Sequence, residues 1–150
     1  MAKEFSRIDE SLKGFIGDQA VFFVATAPSD GGRINLSPKG YRDTFAVLDD
    51  RTIAYLDLFG SGVEFPGLLA HFGGQHAGIR AAIVVDLERI ADACGFAVAY
   101  YELVDERPVL DAHHDKASDD AYVRLADRNR HSIDRLPALE ADHPLPRSRA

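Results

Sequence analysis

The feature that most limits what this chain can become is a pair of strand-length apolar runs, Thr44–Leu48 and Thr52–Leu58, separated only by Asp49-Asp50-Arg51. So short a polar link permits only a tight reversal. An aspartate there can fold its carboxylate back on the backbone, so the segment reads as a β-hairpin. Immediately upstream, Arg33-Ile34-Asn35-Leu36-Ser37 alternates polar and apolar, the period of a half-buried strand. It runs into Pro38-Lys39-Gly40, a rigid corner followed by a permissive one. Further back, Ala20–Thr26 (AVFFVAT) is continuously apolar and rich in β-branched and aromatic residues, the pattern of a strand covered on both faces. Pro28-Ser29-Asp30-Gly31-Gly32 is a turn by composition and pairs this run with Arg33–Ser37. Successive strands joined by short turns predict an antiparallel meander.

The flanks are less regular. Ser6, with Asp9 after it, is placed to cap a first helix whose Ile8, Leu12, Phe15 and Ile16 share one face, with Gly17 as its stop. This helix is expected to lie over the sheet as a lid. After Gly62 a short apolar piece, Gly67–Phe72, leads into a loop over Gly73–Gly78. Ile79–Ile90 resumes strand character with Ile83-Val84-Val85 as its buried part, and Cys94-Gly95-Phe96 ends it. Ala97–Val104 reads as a loop lining the core. Ser118, Asp119 and Asp120 open a helix, the carboxylates near the positive end of its dipole; it runs to Arg130 with Tyr122 and Leu125 inward. From Pro137 the chain is Pro-rich and charged, and 140–150 reads as a flexible tail on a single domain spanning 1–150.

A net charge of −7 argues against a nucleic-acid groove, which needs an extended basic surface. No apolar run approaches the roughly 20 residues of a membrane helix, and MAKEFSRIDE lacks the apolar centre of a secretory signal. Cys94, the one cysteine, excludes an internal disulfide, reads as a small buried hydrophobe and fits a reducing cytoplasm. His113 and His114 are neighbours whose side chains point apart on a helix or strand; they read as surface residues, and no metal site is expected. Against the acidic background, Lys39 with Arg33 and Arg42 is a local basic group, the chemistry of a site for a small anion.

The run N-L-S-P-K-G, followed by an apolar hairpin ending in Y-L-D-L-F-G-S-G, resembles the pyridoxamine 5′-phosphate oxidase-related family of FMN-binding split β-barrels. The resemblance continues in R-A-A-I-V-V-D-L-E-R-I-A-D-A-C-G-F and in N-R-H-S-I-D-R-L-P, and covers about Ser6 to Leu139. It departs from the family after Glu64. There Phe65-Pro66 follows directly where family members place a helix and two further strands, so roughly 25–35 residues are missing by ordinary element lengths. The fold expected is therefore mainly β with flanking helices: a split barrel lacking a helix and two strands. Edges so exposed are expected to be capped by a loop, a partner subunit or association, or else Ile79–Ile90 pairs directly with one of them.

The resemblance implies an FMN-binding oxidoreductase, a homodimer that exchanges hydride with a small-molecule substrate. It implies Lys39 at the FMN phosphate, with a hydroxyl from Ser37 and a second cation from Arg33 or Arg42. It implies Tyr55, Leu56 and Asp57 on the strand beside the flavin ring, and Ser61 in an anion-binding corner. The same barrel also serves as a non-catalytic carrier of flavin, deazaflavin or haem, and the missing segment admits a remnant that holds no cofactor. Vitamin B6 oxidation itself is not expected, since the chain has no Trp and its tail reads H-P-L-P-R-S-R-A.

Overall fold

The tight reversal forms as its residues dictate. Asp49 Oδ1 accepts from the Arg51 backbone N–H at 2.8 Å, and Leu48 N–H donates to the Thr52 carbonyl at 2.9 Å. The computed structural model describes residues 3–58, 66–73 and 78–131, with 135 and 137. In chain order the elements are β1 (Glu4–Phe5), α1 (Glu10–Gly17), β2 (Phe22–Thr26), β3 (Asn35–Lys39), a 3-10 turn (Arg42–Thr44), β4 (Phe45–Val47) and β5 (Thr52–Leu58). There follow α2 (Pro66–Leu69), β6 (Ile79–Asp86), β7 (Ile90–Ala91), α3 (Val109–Lys116) and α4 (Asp119–Arg128).

The strands form three antiparallel sheets: β1-β7, β2-β3 and β4-β5-β6. The fold is mainly β with flanking helices, and among the described residues its sheets do not close. The meander expected from sequence is thus divided. Between β3 and β4, Tyr41 takes a positive φ of 63° and the 3-10 turn follows, which redirects the chain instead of continuing the ladder. Thr44 secures that corner: it is fully buried and its hydroxyl donates within reach of the Gly40 and Tyr41 carbonyls, at 2.9 and 2.8 Å.

β6 pairs directly with β5, the direct pairing offered from sequence as one way to cover an exposed edge. The register runs from Thr52↔Asp86 to Asp57↔Ala81, then slips so that Leu58 faces Ile79. Arg80 is the extra residue of this bulge. Alternation along β5 and β4 gives the sheet two faces. Ala46, Ala54 and Leu56 point to one, where they pack with Phe72 and Ile79 beneath Leu68 and Leu69. Leu56 is 1% exposed, worth about 1.5–3 kcal/mol of apolar burial. Phe45, Tyr55 and Asp57 point to the other face, which the β2-β3 hairpin covers: the Phe22 ring meets Phe45 edge-on at 4.9 Å and Tyr55 at 5.7 Å.

Several expectations are corrected. Asp9, not Ser6, caps α1, its Oδ1 accepting from Leu12 N–H at 2.9 Å. No residue of α1 is fully buried, its Leu12 and Ile16 being half-buried; Ile8, the buried member of that apolar set, precedes the helix and donates its N–H to the Asp50 carbonyl at 2.7 Å. β2 is covered on one face only, since Phe23 is 63% exposed. Val84 is exposed, on β6 at the outer edge of the β4-β5-β6 sheet. Cys94 is exposed, and the 97–104 segment is irregular and largely solvent-facing, not a core lining. α3 was not foreseen, and its His114 is buried at 2% exposure while His113 is exposed. α4 starts and ends close to its expected limits with Leu125 half-buried; the Tyr122 side chain, the corner at Gly60–Gly62 and the tail lie outside the described residues. Among the described residues no helix is long and apolar enough to cross a membrane.

Candidate functional site

Where the β2-β3 hairpin lies over the central sheet, one carboxylate joins three strands. Lys39 closes β3, and its Nζ donates to Asp57 Oδ1 at 2.9 Å. Arg80 approaches from the far side of β5; its Nε donates to Asp57 Oδ2 at 2.8 Å and its Nη2 donates to the same oxygen. Simple alternation would put Arg80 on the face opposite Ala81 and Asp57. The bulge adds the one residue that turns its side chain back toward the carboxylate.

The electrostatics follow from this geometry. Asp57 is buried, with its side chain only 11% exposed. Burial pushes its carboxyl pKa up, but the Lys39 hydrogen bond and the Arg80 guanidinium outweigh that and hold it below the usual carboxylate value. Two cations share this one carboxylate, so the trio itself carries one net positive charge. Both cations retain access to water, Lys39 at 22% and Arg80 at 43%. Tyr55 stands two residues back on the same face, its hydroxyl pKa raised by burial and then by the Asp57 charge.

Beyond the aromatic group, a cleft of about 190 Å³ opens between the end of α1 and the Tyr41–Arg42 corner, with Phe22 and Phe45 as its apolar floor. The 102–108 stretch braces this corner. Tyr41 Oη donates to the Arg107 carbonyl at 3.1 Å, and Arg42 N–H donates to Glu106 Oε1 at 3.1 Å. The Tyr41 hydroxyl pKa is raised by burial and by Asp111.

The residues singled out from sequence therefore separate. Lys39, Tyr55 and Asp57 come together, with Ser37 half-buried one step along the same face of β3. Arg42 lines the cleft on the other side of Phe22 and Phe45, and Arg33 is exposed on the approach to β3. Leu56 faces the opposite side of the sheet, inside the core, so it can meet the Lys39 side only through its backbone. Ser61 lies outside the described residues. Arg80 escaped the sequence reading because a single arginine at the second position of an apolar strand carries no period of its own; the register slip that aims it is a property of the pairing.

No family model and no solved structure matches the chain. Among curated proteins it is similar to the Pyridoxamine 5′-phosphate oxidase family protein ustO of Aspergillus flavus, 27% identical over 141 aligned residues. The match covers 66% of this chain and 57% of the relative, so the chain spans little more than half of that protein's length. The aligned stretch is longer than the part of this chain it covers, so the relative carries residues with no counterpart here. Taken with the mainly-β architecture and the order of its motifs, this similarity supports a likeness to the pyridoxamine 5′-phosphate oxidase-related family.

Proposed function

We propose that the chain binds FMN and acts, as a homodimer, as an oxidoreductase of the pyridoxamine 5′-phosphate oxidase-like group on a small-molecule substrate. The observation that carries this reading is Lys39, held by Asp57 at the edge of the aromatic face made by Phe22, Phe45 and Tyr55. FMN ends in a dianionic phosphate and begins in a flat apolar ring, and these residues supply a cationic donor and an apolar wall in adjacent positions. Ser37, on the same strand face, is placed to add a hydroxyl. When bound, the flavin supplies the hydride exchange; the protein's part is to orient the ring and hold its phosphate.

The cleft of about 190 Å³ is smaller than the roughly 300–1,000 Å³ of cofactor pockets, so one chain offers only one wall of a flavin site. A second copy would supply the other. The outer face of the β2-β3 hairpin, with Phe23 and Leu36 each 63% exposed, provides apolar surface for such an association.

FMN titration by fluorescence quenching tests the reading. The parent should quench FMN, and Lys39→Ala should weaken binding by about 1.5–3 kcal/mol through loss of a charge-assisted contact. Bleaching of the bound flavin by a reduced nicotinamide supports the oxidoreductase, whereas uptake without bleaching points to a carrier. A parent protein that takes up no FMN overturns both.

A further inference from the structure

We infer that Arg80 is the second phosphate-binding cation of the site, and that Asp57 is the positioning residue that sets Arg80 and Lys39 at a phosphate's width. The identity of the full ligand rests on the FMN reading above; the anion-holding role of the pair rests on geometry alone.

Each oxygen of the Asp57 carboxylate is taken by a different cation, Oδ1 by Lys39 at 2.9 Å and Oδ2 by Arg80 Nε at 2.8 Å. The two nitrogens therefore stand no more than about 8 Å apart, two hydrogen bonds plus the width of one carboxyl group. Phosphate oxygens lie about as far apart as carboxylate oxygens, so a phosphate on the solvent side spans the same gap with the same bond lengths. Donors remain for it. Arg80 turns Nε and Nη2 toward Asp57, leaving further guanidinium N–H groups on a side chain 43% exposed, and Lys39 spends one of its three donors on Asp57.

The bulge argues for function over mere charge balance. A continuous β5–β6 ladder would pair every residue and send Arg80 to the other face, where Ile79 and Leu56 form the core. Instead the strand gives up one ladder position, and the side chain so re-aimed is a guanidinium. One lysine would already neutralise Asp57. A second cation leaves the trio with net positive charge at a place partly open to water, in a chain whose overall charge is −7.

The test compares FMN with riboflavin, which shares the ring and ribityl chain but lacks the phosphate. Arg80→Ala should weaken FMN binding roughly 10- to 100-fold and leave riboflavin within about twofold. Equal losses for both ligands would make Arg80 structural, and an unchanged FMN affinity would remove it from the site; either result overturns the inference while the FMN reading stands. If the parent binds neither flavin, the FMN reading fails instead. The pair is then judged by inorganic phosphate: it should raise the parent's Tm above that in chloride of equal ionic strength, and Arg80→Gln should abolish the rise. Absence of that rise in the parent overturns the inference. Arg80→Gln also serves throughout if the alanine variant does not fold, since it keeps a polar side chain while removing the guanidinium charge. Asp57→Asn should weaken FMN more than riboflavin, because Lys39 and Arg80 then lose their common anchor.

Discussion

Gly78 lies against the ring of His114: a Cβ built on Gly78 would run into the imidazole at Cε1, Nε2 and Cδ2. Gly78 also has a φ of 95°, so glycine is required here by backbone conformation and by space together. This contact seats α3 against the residue before β6, a long-range tie between otherwise separate parts of the chain. Gly78→Ala is expected to destabilise the protein by about 2–4 kcal/mol, from overpacking and a strained φ. Urea denaturation measures it. In the Gly78→Ala/His114→Ala double variant the steric part of that penalty should vanish, leaving the alanine change to add only about 1 kcal/mol to the cost of His114→Ala.

Asp57→Asn removes the shared counter-ion of Lys39 and Arg80. Both cations can rehydrate, so the cost should fall at about 1–3 kcal/mol at neutral pH, below that of a wholly buried pair. The pH dependence has a definite sign. Asp57 has a folded pKa below its unfolded value of about 3.9, so its contribution is complete above that value and is lost as pH falls through the folded pKa. The stability gap between parent and Asp57→Asn should therefore be constant from pH 5 to 7, by about the same unfolded value, and narrow below about pH 4. A gap that widens in acid would contradict the assignment.

Arg51 gathers three segments at one end of the fold. Its Nη1 donates to the Ser6 carbonyl and its Nη2 to the Leu87 carbonyl, both at 2.6 Å, while its own carbonyl accepts from Leu87 N–H at 2.8 Å. A lysine has no planar fork with which to reach both carbonyls. Arg51→Lys should cost about 1 kcal/mol, and hydrogen exchange should accelerate at Ile8 and Leu87 before the β4-β5 ladder is affected.

Asp9→Ala should lower stability by about 1 kcal/mol through loss of the α1 cap. Since α1 buries none of its residues fully, the effect should stay local. Amide exchange over 10–17 should speed up while the core strand β5 keeps its protection.

The local alphabet of this chain is legible without coordinates. Two apolar runs around Asp49-Asp50-Arg51 can only reverse and pair, and they do, with Asp49 closing the turn. Pro28–Gly32 likewise joins β2 to β3, and Ser118 precedes α4, because turn and cap chemistry acts within a few residues. Lys39 stands out as a basic residue against an acidic background, although the corner read at Pro38 falls later, at Tyr41, with Pro38 and Lys39 paired inside β3. What the sequence could not determine was who covers whom. Phe23 and the 96–104 segment look as apolar as Leu56, yet they face solvent, since burial depends on which surfaces the chain brings together. The trio at Asp57 is the plainest case. Lys39 and Arg80 meet one carboxylate only because β6 pairs with β5 and slips by a residue there, and register between strands more than twenty residues apart is decided by the packing of whole faces.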